Sequence, residues 1–325
     1  MKHRIRASLG RAVAVALMAC CSLGHAQGWP TKPIKIVAPV PPGGGVDFLS
    51  RAIAHKLQSA FDVPVLVENR AGASALVGTD YVAKSPADGN TLLMGYSVLA
   101  TNTFLVNNLP YDLERDLVAV VYVGYIPLIL VMPPSFPPNS VAELIALLKA
   151  HPDQYFFASG GAGAGAHLAA EMFKSMTGTK MQHVPYKGNA PALTDVVGGH
   201  VPIMFDTITT SLPLVRSGKL KALATTGPKR SPLAPELPTM IEAGVPGFEI
   251  SAWYMVFAPR KTPPEVLEKL NHTIDAALAD PEFSKQMAAQ GVVLVGGSLG
   301  QAQAFLNSEI GRWGTVIKAA GIKAE

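Results

Sequence analysis

From one end of the chain to the other, short apolar runs rich in β-formers alternate with amphipathic helical stretches. That alternation restricts the fold to α/β layering with largely parallel sheets. Residues 36–38, 63–67, 91–94, 155–158, 181–184, 202–205 and 221–225 read as strands. Helices are expected at 77–84, from Ser140 to Pro152, at 167–176, 190–197 and 212–215. Ser140 and Glu143 form a capping-box pattern. Residues 250–258 read as a further strand, followed by helices at 264–278, 281–290 and 300–320 with a strand at 292–295. Residues 227–247, rich in proline and glycine, read as a connector with one short helix.

The apolar run 118–132 is broken by Gly124 and Pro127, and reads as two strands carrying the chain from one domain to another. A chain of 325 residues is long enough for two domains. Residues 27–124 and 226–325 are expected to form one discontinuous domain, with 125–225 inserted as the second.

Each expected domain carries a glycine-rich strand-to-helix loop. In the first, Ile36-Val37-Ala38 runs into Pro39, Pro41 and Pro42, then Gly43, Gly44, Gly45, Val46 and Asp47. The prolines have no N–H, so the free backbone donors are those of the glycines, Val46 and Asp47 at a helix start. Asp47 is placed as the N-cap, with Phe48, Leu49, Ala52, Ile53, Leu57 and Ala60 forming one apolar helix face. Such a stretch is either an anion site built from backbone or a tight turn with a capping aspartate. The second loop spans residues 159–166. Neither 36–50 nor 156–173 contains Lys or Arg. Two such loops facing each other make a cleft at a domain interface, where ligands collect.

The first 26 residues read as a secretory signal: Lys2, Arg4, Arg6 and Arg11, then an apolar core, then Gly24-His25-Ala26. Removing it leaves 27 − 4 = 23 basic against 23 acidic residues. The pI near 9.0 therefore belongs to the leader and gives no argument for nucleic acid. Cys20 and Cys21 both lie in it, so the mature chain has no thiol chemistry. A lipid anchor at Cys20 is the less favoured alternative to soluble release. No later apolar run approaches the roughly 20 residues of a membrane span.

The run Gly161-Ala162-Gly163-Ala164-Gly165-Ala166 fits a dinucleotide fingerprint, but residues 181–184 lack the acid expected to bind ribose. Ser159 is outside any G-x-S-x-G elbow, and the histidines show no metal-ligand spacing. His167 reads as a structural polar contact. No cofactor, metal or catalytic constellation is expected, so binding is favoured over enzymatic turnover.

Pro42-Gly43-Gly44-Gly45-Val46-Asp47, Val67-Glu68-Asn69-Arg70, Leu109-Pro110-Tyr111-Asp112, His183-Val184-Pro185-Tyr186-Lys187-Gly188 and Met204-Phe205-Asp206 together resemble one family. It is that of the Bug-type periplasmic solute-binding proteins of tripartite tricarboxylate transporters. The resemblance runs over essentially the whole mature chain. It implies a two-domain periplasmic binding protein of type II, the Venus flytrap, with the ligand cleft between the domains. It also implies a small organic acid ligand, membrane subunits of a tripartite tricarboxylate-type transporter as partners, a periplasmic location and a monomer. The alternative is a sensory component of the same fold. By motif position the ligand residues are Gly43, Gly44, Gly45, Val46 and Asp47 with Ser159, Gly161, Gly163, Ala164, Gly165 and His167. Tyr186 and Asp206 are expected to line the cleft from the second domain, although Asp206 could equally be a helix cap beneath it. Val46, Ala162, Ala164 and Val98-Leu99 stand where polar residues are common in the family. Tyr96 and Trp253 are expected to add apolar wall.

Overall fold

The computed structural model describes residues 28–322 apart from 73, 162 and 187. The expected leader and Ala162 lie outside the described residues. In chain order the first elements are β1 Ile34–Ala38, α1 Gly45–Phe61, β2 Val65–Asn69, α2 Leu76–Ala83, β3 Thr91–Tyr96, α3 Val98–Leu105, α4 Leu113–Asp116 and β4 Leu117–Met132. Then come α5 Val141–Ala150, β5 Phe156–Ser159, α6 Gly165–Thr177, β6 Gln182–Pro185, α7 Asn189–Val197, β7 Ile203–Thr207, α8 Ile208–Arg216 and β8 Lys221–Thr225. The chain closes with β9 Ser251–Pro259, α9 Pro264–Leu278, α10 Pro281–Ala289, β10 Val293–Leu294 and α11 Leu299–Ala320.

The strands run in the order β2-β1-β3-β9-β4-β7-β5-β6, with β8 and β10 also paired to β4. Parallel pairing of β1 with β2 and β3 builds one lobe, and parallel pairing of β5 with β6 and β7 the other. Strand β4 belongs to both. The run expected as two strands is one continuous strand, and its partners change midway. Residues from Leu117 to Pro127 pair antiparallel with β9, and from Leu128 onward the partners are β7 and β8. Pro127, which has no N–H to give a ladder, sits at the changeover. Register shifts between Ala119 and Val121 and between Tyr122 and Gly124 bend the strand. Gly124 is required there, because a Cβ would run into the Val293 carbonyl of β10.

Residues 227–247 form turns and one isolated bridge between Thr225 and Thr239, not a short helix. Prolines 228, 232, 235, 238 and 246 deny that stretch helical donors. Phe248 packs with Phe205 at 5.8 Å and Phe173 at 6.3 Å between centroids. The apolar residues of this segment thus pack against the side chains of β7 and α6. Among the described residues no helix is long and apolar enough to cross a membrane.

Candidate ligand-binding cleft

Strand β1 delivers the first glycine loop to the start of α1, and β5 delivers the second to the start of α6. Both open on one cleft of about 770 Å³ between the lobes. Helix α1 begins at Gly45, with Gly44 as N-cap in extended backbone (φ −90°, ψ 176°) and no side-chain cap. The N–H groups of Gly45, Val46 and Asp47 therefore have no intrahelical acceptor. Asp47, expected as the cap, is instead the third helical residue. Its carboxylate reaches back to accept the Gly43 N–H at 3.0 Å, and also accepts from Asn69 Nδ2 at 2.9 Å. Arg51 donates to it at 3.1 Å. Arg51 holds the Asp47 carboxyl below the usual range, helped by the Gly43 N–H and Asn69 and opposed by burial. The pair is mutually neutralising, so Arg51 is committed to Asp47 and Asn69.

The second loop repeats the design. Helix α6 begins at Gly165, with Ala164 as N-cap (φ −65°, ψ 154°) and again no side-chain cap. Its third residue, His167, accepts the Gly163 N–H on Nδ1 at 3.0 Å. Burial, with a smaller contribution from Lys174, pushes the imidazole down to about 4. The ring is therefore neutral near pH 7, with its proton on Nε2, 3.8 Å from Glu171 Oε1. His183 stacks on His167 at 3.9 Å and on Phe157 at 4.9 Å. Gly163 has a left-handed φ of +73°, and a Cβ there would meet Leu105 Cδ1 of the other lobe at 2.6 Å. Only glycine satisfies both conditions.

Of the residues expected at the ligand, Gly44, Gly45, Val46, Gly163, Ala164 and Gly165 line the cleft. Gly43, Asp47, Ser159, Gly161, His167, Tyr186 and Asp206 do not. Gly43 and Asp47 are bonded to each other. Ser159 is fully buried, its Oγ engaged with both backbone groups of Gly161 and 2.6 Å from His183 Nε2. Tyr186 turns its hydroxyl onto Asp195 at 2.6 Å, and burial with that bond raises its pKa to about 12. Asp206 lies beneath the site. It accepts from Thr210 at 2.5 Å, Ser211 at 2.6 Å and Asn189 at 3.4 Å, and burial raises its pKa. It steadies Asn189, which does reach the cleft.

Tyr96 and Val98 line the cleft, but Trp253 does not. Strand β9 alternates faces, so Ala252 and Tyr254 face the cleft while Trp253 points away and donates to Glu309 at 2.9 Å. Trp313 of α11 takes the wall position. The sequence reading also missed Leu105, Leu168 and Ile250, which carry no local signal beyond being apolar. Among the described residues lining the cleft none is charged. Positive potential comes from helix N-termini, each contributing about 0.3–1 kcal/mol toward an anion: those of α1 and α6, and those of α3 and α8, whose N-caps Ser97 and Thr207 also line the cleft without a side-chain cap.

Comparison with known proteins agrees with this architecture. The family described as "Tripartite tricarboxylate transporter family receptor", TctC, matches residues 49–322. The protein BugT of Bordetella pertussis is 41% identical over 300 residues, covering 92% of each chain. The R. palustris protein Rpa4515, solved with adipate, is 38% identical with a TM-score of 0.79, covering 91% of this chain and all (100%) of that one. MatC from Rhodopseudomonas palustris, solved with bound malate, is 29% identical with a TM-score of 0.73, covering 89% of this chain and 100% of its own. The chain has the two-domain fold of the periplasmic binding proteins and belongs to the TctC family of Bug-type tripartite tricarboxylate transporter receptors.

Proposed function

We propose that this protein is a non-enzymatic receptor that captures a small organic carboxylate in the periplasm and hands it to the membrane subunits of a tripartite tricarboxylate-type transporter. The observation that carries the reading is the pair of uncapped helix starts, one from each lobe, opening on one cleft whose described lining has no charged side chain. A carboxylate there accepts from the N–H groups of Gly44, Gly45 and Val46 on one side and Gly165 and Ala166 on the other. Gly43, Asp47, Ser159, Gly161, His167, Tyr186 and Asp206 act one layer behind, holding the loops in shape. The adipate- and malate-bound relatives support a carboxylate as the ligand class. Export by the N-terminal leader, with a mature protein starting at Gln27, belongs to the same reading.

The test is mass spectrometry of the small molecule released by denaturing protein purified from its native compartment. A carboxylic acid recovered unchanged after prolonged incubation is the expected result. A phosphate ester, an amine or a chemically converted product overturns the reading.

A further inference from the structure

Another loop reaches the cleft, and its backbone is strained there. Between β2 and α2 the chain passes through Ser74 (φ +52°) and Ala75 (φ +73°), successive left-handed residues of which neither is glycine. A Cβ makes that conformation costly, and residues held in it cluster at ligand-binding sites. Buried polar side chains from two helices hold the turn. Asn102 of α3 donates from Nδ2 to the Ser74 carbonyl at 2.8 Å, and Thr79 of α2 donates from Oγ1 to the Ala75 carbonyl at 2.8 Å. Thr79 is fully buried and Asn102 nearly so.

The strained residues differ in what their side chains gain. Ala75 is buried among apolar side chains, so packing of its methyl group offsets the strain. Ser74 is exposed and lines the cleft. Glycine would adopt its backbone conformation without strain. Nor does the hydroxyl serve the fold. The N-cap of α2 is Ala75, and no side chain caps that helix. Among the described residues Ser74 Oγ has no hydrogen-bond partner, although the carbonyl of the same residue is held by Asn102. The turn is thus fixed from beneath, by groups committed to its backbone, while its one exposed side-chain donor is left unused at the cleft.

We infer that Ser74 is a ligand-binding residue: the strained turn presents its hydroxyl to the cleft, where it donates a hydrogen bond to an oxygen of the bound acid. The inference rests on the proposed function and adds a side-chain donor to the backbone donors of the glycine loops. The test compares Ser74→Ala and Ser74→Gly with the parent. Ser74→Ala keeps the strained backbone and removes the hydroxyl, whereas Ser74→Gly removes both. A thermal-shift panel is run on parent protein dialysed free of small molecules. It contains adipate, malate, citrate and hexanoate, with inorganic phosphate and putrescine as non-carboxylates. The acid that stabilises the parent most is titrated by calorimetry into parent and variants. Both variants should bind it about tenfold more weakly, as expected for a lost hydrogen bond to an acid oxygen. Without ligand, Ser74→Gly should unfold in urea at a midpoint no lower than the parent's, because glycine relieves the strain. A lower midpoint removes the strain on which the inference stands and overturns it. Ser74→Ala binding as tightly as the parent overturns it too. So does a weakened Ser74→Ala beside a Ser74→Gly of parental affinity, which would place the effect on the backbone. Each of these leaves the carboxylate receptor standing. A parent that none of the acids stabilises, whether or not phosphate or putrescine does, overturns the proposed function and this inference with it.

Discussion

Replacing His167 with Asn should make the protein less sensitive to acid. Asn keeps an acceptor near the position of Nδ1, so the Gly163 N–H remains bonded, but it removes a titrating group. His167 is 7% exposed, and burial takes it from 6.5 to about 4 in the folded state. As pH falls the unfolded chain binds this proton first. The contribution of His167 to stability is therefore full above about pH 6.5 and is lost as pH drops toward 4. At about 1.36 kcal/mol per pH unit the whole window amounts to about 3 kcal/mol. Urea unfolding of ligand-free protein between about pH 7.5 and pH 4.5 measures it. Other buried groups titrate in both proteins: Asp206, raised by burial, and Asp47, lowered first by Arg51, cancel in the difference between the two curves. The parent should lose about 2–3 kcal/mol relative to His167→Asn across that range. Parallel curves would refute the assignment of His167 as a buried neutral acceptor.

The first glycine loop gives a test of how the anion is held. Gly44 has open space where a Cβ would go, so Gly44→Ala should bind nearly as the parent does, while Gly44→Pro loses a donor and about 1.5–3 kcal/mol by calorimetry. Arg51→Gln should weaken binding less than Gly44→Pro; the reverse order would mean that a salt bridge holds the ligand. Gly163→Ala forces a left-handed alanine against Leu105 and should cost at least about 1–2 kcal/mol of stability, part of it restored by Leu105→Ala. Full stability of the single variant in urea would show that the loop relaxes freely. Glu309 is buried and accepts from the indoles of Trp253 and Trp313 at 2.9 and 3.1 Å while pairing with Arg312. Glu309→Ala should destabilise by about 3–5 kcal/mol in urea unfolding, clearly more than Glu309→Gln, which keeps an acceptor. Equal losses from both would place the whole effect on the charge.

The positions of the two loops were legible because glycine and proline leave the backbone few choices: a strand that ends in Pro-Pro-Gly-Gly-Gly cannot continue its ladder. Strand and helix order was legible for the same local reason, through apolar periodicity and punctuation. What failed was whatever depends on a partner distant in the chain. Asp47 has a good capping side chain, yet three glycines let the helix begin earlier at Gly45, and the carboxylate was then needed by Gly43, Arg51 and Asn69. Helix α3 went unread because Val98-Leu99-Ala100-Thr101-Asn102-Thr103-Phe104-Leu105 shows no amphipathic stripe. Its buried residues face the core on one side and the cleft on another, so hydrophobicity does not segregate. Trp253, expected at the wall, points away from it because strand alternation in β9 had already assigned Tyr254 to the cleft, and Trp313 of α11 stands there instead. Local sequence thus fixes where an anion-binding backbone can form. Which side chains line the rest of the cleft depends on helix α11, some 200 residues further along than α3, and no window of sequence contains both.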